Sequence, residues 1–198
     1  MVMNENNSIK MKWHRIVVLT VLCLFGFSLM ATLAAPYKKK KRQKTDERVY
    51  LVHADELSYD QWGAVPGAQI LKGKVHFKHA GMQLWCDSAY FFQVENSVEA
   101  FGHVRFRQGD TLSLTCDHAD YNGAEQMMHA RKNVVLKHRT QTLYTDSLDY
   151  DRMYSLAYFF EGGKLVDGRD RLVSDWGAYG TATREASFYY GVEMFSGK

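Results

Sequence analysis

FGHVRFRQGDTLSLTCDHADYNG, residues 101–123, carries two signals that recur through the chain. Its first part alternates. Together with the preceding Ala100, Gly102, Val104 and Phe106 are expected on one face, and His103, Arg105 and Arg107 on the other. After Gly109-Asp110 the alternation resumes with Leu112, Leu114 and Cys116, and Asn122-Gly123 ends the run. Strict period-two alternation between turn residues describes half-buried β-strands. Inside the second run stands an Asp preceded by a small residue and followed four positions later by an aromatic.

That frame occurs five times: VHADELSY (52–59), LWCDSAYF (84–91), LTCDHADY (114–121), LYTDSLDY (143–150) and LVSDWGAY (172–179). Its aspartates are Asp55, Asp87, Asp117, Asp146 and Asp175. Its aromatics are Tyr59, Phe91, Tyr121, Tyr150 and Tyr179. Between them runs a second frame: LKGKVHF (71–77), AFGHVRF (100–106), ARKNVVL (130–136), FEGGKLV (160–166) and YYGVEMF (189–195). Both landmarks share a period of about 30 residues, the signature of a repeat architecture. Each unit is two strands plus turns, and no segment after Lys44 has a helical period. The expected fold is all-β: a repetitive, twisted β-jellyroll or open β-sandwich of about five two-strand units.

The alternation slips by one residue at each Asp, as a bulge or bend requires. Leu84 and Cys86 share a face, yet Ala89 and Phe91 are the next apolar pair. The five Asp frames are therefore structural corners. The carboxylate is expected to accept backbone N–H groups that leave the ladder. The small residue before it turns inward, and the aromatic covers the next stretch of core. Five equivalent Asp/aromatic pairs are architecture and not a catalytic centre. The last two units fit least well, because FEGGKLV puts Lys164 in an inward slot. The chain stops just after a strand, and an unpaired edge is a place for strand addition.

The first residues are of another kind. Lys10, Lys12 and Arg15 precede the apolar run Ile16–Ala35, the pattern of a secretory signal, with cleavage expected after Ala34 or Ala35. Met11 is an alternative start. Retention as an N-terminal anchor is the alternative, since about 20 apolar residues can cross a bilayer. Cys23 follows Leu22, a poor context for lipidation. Residues 36–48 form a basic linker containing KKKKRQK (38–44), and 49–198 form the folded domain. This run conflicts with the positive-inside rule. It is either a solvated linker or a contact for anionic membrane through Lys38–Lys44. From Thr45 onward 16 Lys and Arg face 21 Asp and Glu, a net charge of −5. An acidic domain argues against nucleic acid as a partner.

No other chemistry stands out. The histidines at 53, 76, 79, 103, 118, 129 and 138 are scattered with no metal-ligand spacing, so no metal or cofactor is expected. Nucleophile-elbow and phosphate-loop signatures are absent, so no enzyme is expected. Cys86 and Cys116 hold equivalent repeat positions. They are read as small buried thiols, with a disulfide between neighbouring rungs as the alternative. Trp62, Trp85 and Trp176 are read as packing residues, with an interfacial anchor as the alternative.

With its frames aligned, the chain resembles the organic-solvent-tolerance family, the OstA-like or LptA-like lipopolysaccharide-transport jellyrolls, and most nearly their Bacteroidetes-type branch. The carriers are GKVHF, FGHVRFRQGDTLSLTCDHADYNG, ARKNVVLKHR, TLYTDSLDYDR and FEGGKL, in order, over roughly Val49 to Phe195. The resemblance implies an open jellyroll whose apolar interior holds acyl chains. It also implies a Gram-negative periplasmic location, with association to the inner or outer membrane, and head-to-tail stacking with other jellyrolls through edge strands. The matching inward residues, expected to contact lipid, are Val75, Phe77, Leu84, Val104, Phe106, Leu114, Val134, Leu136 and Leu143. Lipopolysaccharide is the implied ligand and outer-membrane assembly the implied role. The resemblance is to the jellyroll alone, so a full outer-membrane translocon with its β-barrel is not expected, and the basic tail is not a family motif. Two other readings stay open: a structural or adhesive β-repeat with a closed core and no ligand, and an anchored coupling subunit.

Overall fold

The computed structural model describes residues 48–59 and 62–197. The sequence expectations for the signal or anchor, Cys23 and Lys38–Lys44 lie outside the described residues. The described chain forms 14 strands in one antiparallel sheet. They are β1 (Tyr50–His53), β2 (Glu56–Tyr59), β3 (Gln69–His79), β4 (Met82–Phe92), β5 (Ser97–Gln108), β6 (Leu112–Asn122) and β7 (Met127–His138). There follow β8 (Gln141–Asp151), β9 (Leu156–Phe159), β10 (Gly163–Asp167), β11 (Asp170–Ser174), β12 (Trp176–Gly180), β13 (Ala186–Tyr189) and β14 (Glu193–Phe195). The path β1-β3-β4-β5-β6-β7-β8-β10-β11-β14 ends on two edges, so the sheet is a jellyroll and not a closed barrel.

The short strands are halves of long ones. β1 and β2 pair with successive parts of β3, and β9 and β10 with successive parts of β8. β12 and β11 pair with β9 and β10, and β13 and β14 with β12 and β11. Every long ribbon breaks at the same level, and that level is the Asp frame. The register runs Lys72↔Ser88, then Val75↔Cys86, so Gly73 and Lys74 stand opposite Asp87 alone. The same two-against-one count puts Gly102 and His103 opposite Asp117, and Lys132 and Asn133 opposite Asp146.

These paired residues are left-handed: Gly102 and His103 have φ of 72° and 44°, and Lys132 and Asn133 have 63° and 54°. A left-handed pair reverses the pleat and bends the ribbon, costing a non-glycine residue about 1–2 kcal/mol. The second sequence frame is thus the partner of the first. Gly73 and Gly102 were expected on the inward face; they belong to the bend instead.

The bends fold the sheet like a book, with the aspartates along its spine. Leaf 1 comprises 69–72, 88–92, 97–101, 118–122, 127–131 and 147–151 with β2, β9, β12 and β13. Leaf 2 comprises 75–79, 82–86, 104–108, 112–116, 134–138 and 141–145 with β1, β10, β11 and β14. Their apolar faces meet. Phe77 of leaf 2 is edge-on to Phe91 of leaf 1 at 5.3 Å, and Phe106 to Tyr150 at 6.0 Å. Leu71, Val75, Ala100, Leu114, Met128 and Phe159 are fully buried between them.

The last two units are offset by one residue from the glycine-based alignment. Gly163, not Lys164, pairs with Thr145, the position Val134 holds on the other side of β8. The Phe159 ring fills the space a Gly163 side chain would occupy. Lys164 therefore points outward, 4.7 Å above the Tyr144 ring. Gly162 is the second residue of its bend, whereas Gly73 and Gly102 are the first of theirs. Tyr59, expected over core, is exposed.

Gly102→Ala should lower stability more than Gly81→Ala, although both glycines have positive φ. A Cβ at Gly102 would lie 2.5 Å from Asp87 Oδ2, while one at Gly81 meets nothing within 4 Å. Urea titration should show a loss of about 1 kcal/mol at Gly81 and roughly 2 kcal/mol or more at Gly102. Equal losses would mean that the aspartate does not press on the bend.

Candidate functional site: a closed apolar interior with a polar seam

Val75, Phe77, Leu84, Val104, Phe106, Leu114, Val134, Leu136 and Leu143 all lie on the inner face of leaf 2, across β3 to β8. None is more than 1% exposed. The pairings Val75↔Cys86, Val104↔Cys116 and Val134↔Thr145 form one transverse row. Phe77↔Leu84↔Phe106↔Leu114↔Leu136↔Leu143 form the next. The nine are therefore one continuous apolar wall, and the side chains of leaf 1 cover it.

The spine is held by side chains on both sides. Asp87 is 2.6 Å from His103 Nδ1, Asp117 accepts from Asn133 Nδ2 at 2.7 Å, and Asp55 is 3.1 Å from His53 Nε2. The expected backbone donor occurs at Asp146, which accepts from Asn133 N at 3.4 Å. The carboxylates mostly meet side chains because each lies over the bend of the next ribbon. The Asp87 carboxylate raises the pKa of exposed His103 through that hydrogen bond.

The small residue before each Asp has a second task. Cys116 Sγ, Thr145 Oγ1 and Ser174 Oγ donate to the carbonyls of His118, Ser147 and Trp176, at 3.2, 3.2 and 3.0 Å. Each satisfies a carbonyl two residues on, freed where the ladder breaks. Cys86 and Cys116 are free and buried. Burial pushes both thiols up to about 12. They are not neighbours, because β5 lies between β4 and β6. Two strand spacings, about 10 Å, exceed the reach of a disulfide.

The fore-edge, where the hairpin turns of the two leaves meet, is polar. The last residues of β3, β5 and β7 are His79, Gln108 and His138. Each meets the aromatic of an Asp frame on leaf 1: His79 Nδ1 is 2.6 Å from the Tyr121 hydroxyl. Tyr150 donates to Gln108 at 3.4 Å, and His138 Nδ1 is 2.8 Å from the Tyr179 oxygen. Arg152, in the turn after β8, ties the edge together. It donates to the Tyr121 oxygen at 2.6 Å, to Gln108 at 3.0 Å and to the carbonyl of Ala80, in the turn after β3, at 3.0 Å. Sequence reasoning missed this seam. Its signal was a His or Gln at the end of β3, β5 and β7 and a Tyr about 42 residues later.

The geometry defines a class: a β-jellyroll with an apolar interior, a covalent spine and a hydrogen-bonded fore-edge. Residues 46–198 match the model of the OstA-like protein family, and the chain belongs to that family. Among solved structures it is similar to LptH, described as the LptA homologous periplasmic component of the conserved lipopolysaccharide transport device from Pseudomonas aeruginosa. The two are 12% identical over 78% of this chain and 99% of that one, with a TM-score of 0.35. Comparison with curated proteins gives no match.

The seam contains a titratable group. Burial first, and then Arg139 and Arg184, lower the pKa of His138 below the usual histidine value. An unfolded histidine takes up its proton near pH 6.5, and folded His138 does so only lower. The stabilising difference is complete above pH 6.5 and is lost as pH falls through that window. Unfolding free energy should therefore decline below about pH 6.5. His138→Gln, which copies the Gln108 rung, should flatten the decline. An unchanged pH profile in that variant would show that His138 contributes nothing to it.

Proposed function

We propose that this protein is a periplasmic lipid-binding bridge in lipopolysaccharide transport and outer-membrane assembly, acting without covalent chemistry. Membership of the OstA-like family supports this reading, and the continuous wall of nine apolar residues on leaf 2 carries it. Acyl chains would enter between the leaves and take the place of leaf 1 side chains against that wall. Each methylene buried contributes about 0.8 kcal/mol, so a few chains bind tightly with no special polar site. The charged head groups would stay in water beyond the seam.

The interior is shut, so entry requires the seam to open. The spine is covalent and the fore-edge is not, which makes the fore-edge the side that yields. Neutral hydrogen bonds contribute about 0.5–1.5 kcal/mol each and those from the charged Arg152 about 1.5–3 kcal/mol, a cost that burial of several acyl chains can offset. Arg152, with three bonds at the centre, is the strongest latch. For stacking, the free sides of β1–β2 and β13–β14 are the ends of the sheet path. β14 is exposed along its length, with Met194 at 68%. These edges would pair with neighbouring jellyroll proteins, while Lys38–Lys44 would contact anionic membrane.

A second reading has support of its own. The near-complete burial of the nine wall residues suits a structural or adhesive envelope protein with a filled core and no ligand.

One experiment separates the two. A photo-crosslinking residue placed at Phe106 in cells should capture lipopolysaccharide, and one at Met194 should capture protein. The same probe at outward Arg105 should capture no lipopolysaccharide. Lipopolysaccharide adducts from Arg105 but not from Phe106, with purified protein free of lipid by mass spectrometry, would leave the ligand-free reading standing.

A further inference from the structure

The two outward faces of the folded sheet carry opposite charge. On leaf 2, Lys78, Arg107, Lys137 and Arg171 stand in one transverse row through the pairings of β3 to β11. The positions between them are Gln83, Ser113, Thr142 and Val166, none of them acidic. All four cations are exposed. The parallel row adds Arg105 and Lys164, with Glu193 at its far end the one carboxylate. In these two rows six cations thus stand with one carboxylate, while Asp110, Asp167 and Asp170 lie at the turns of the fore-edge. On leaf 1 the corresponding row runs Tyr90↔Glu99↔Asp120↔His129↔Asp149↔Tyr158, with three acids and no Lys or Arg; the row beside it holds Lys72 and Arg131, the latter paired with Asp149.

The cations on leaf 2 are interleaved with rings. Arg105 lies over Trp85 at 5.6 Å, Lys164 over Tyr144 at 4.7 Å and Arg171 over Phe195 at 4.4 Å. Trp85 also stacks on His76 at 4.8 Å. Such pairs hold long basic side chains along the sheet, and aromatic rings are favoured at head-group level.

The spacing selects the kind of anion. Lys78, Arg107 and Lys137 sit on alternate strands, about 10 Å apart. The row to Arg171 extends about 34 Å, several times the width of one phosphate. A single small anion can engage only neighbouring cations, whereas an extended array of separate negative groups can engage the row along its length. We infer that the outer face of leaf 2 docks on an anionic phospholipid surface. In that pose leaf 1 faces water, where its acidic row is not repelled by the membrane. The spine and fore-edge then both lie along the bilayer surface, which leaves the fore-edge free to open beside it.

Co-sedimentation of the full chain with vesicles tests the docking. The protein should bind phosphatidylcholine vesicles containing phosphatidylglycerol, bind pure phosphatidylcholine far less, and lose binding as salt rises. Replacing Lys78, Arg107 and Lys137 together by Gln should weaken binding about fivefold per residue, on the order of 100-fold in all. Arg107→Gln alone should give the single step of about fivefold, which keeps the test open if the triple variant unfolds. The charge-conserving pair Lys78→Arg and Lys137→Arg should bind as the parent does, and so should Asp120→Asn on leaf 1. Unaltered binding in the folded triple variant would overturn the inference and leave any membrane affinity to residues 38–44. Equal binding to both kinds of vesicle would also overturn it. So would a parent that self-associates without vesicles through the same three residues while its vesicle binding is unaffected by their loss, since the face would then belong to a second copy.

Discussion

Each ribbon of the sheet must bend where an aspartate on one strand opposes two left-handed residues on the next. Without that mismatch the strands would continue straight, and one twisted sheet would expose its whole apolar face to water. With it, the same apolar residues meet across a fold and bury one another. The constraint is steric before it is electrostatic. The Asp87 carboxylate lies where a Cβ at Gly102 would be, and hydrogen bonds from His103 and Asn133 to the spine aspartates hold the position once formed. Because the bend falls at the same level in successive ribbons, the spine is straight enough for the leaves to close along their length.

The sequence showed the repeat, the strand pattern and the corners, because period-two alternation and a 30-residue recurrence are local or serial signals. Aligned on glycine, the last two units stand one residue out of step, and in the fifth the alternation of Val192 and Met194 already showed the shift. Glycine was used as the anchor, and glycine takes the first bend position in units one and two but the second in units four and five. Lys164 looked inward for that reason alone. Tyr59 looked like Tyr121 in sequence, yet β2 lies at the edge of the sheet with too little opposite it to bury a ring. Cys86 and Cys116 looked adjacent because they hold the same slot in successive units, but successive units are two strands apart. The seam was invisible because it joins residues about 42 apart across the closed leaves, and nothing in a single strand announces such a partner.

The interior and the exterior follow different rules. Inside, the wall from Val75 to Leu143 needs only continuity and the right volume for the facing leaf to cover it. At the fore-edge, Tyr121, Arg152 and Gln108 form a hydrogen-bonded latch with its donors and acceptors matched, and no buried side-chain polar atom among the described residues is left unpaired. A network of this kind keeps the apolar wall out of water. Outside, charge is sorted by leaf, which gives an otherwise repetitive object two distinguishable faces.

The central claim is that the leaves part at the fore-edge to admit lipid. Spin labels at Ala80, in the turn after β3, and at Met153, in the turn after β8, sit on opposite lips of that edge. Pulsed electron–electron distance measurement should give a short, narrow distribution for the ligand-free protein and a longer one when lipopolysaccharide is added. Lipopolysaccharide bound with the lip-to-lip distance unchanged would contradict the account.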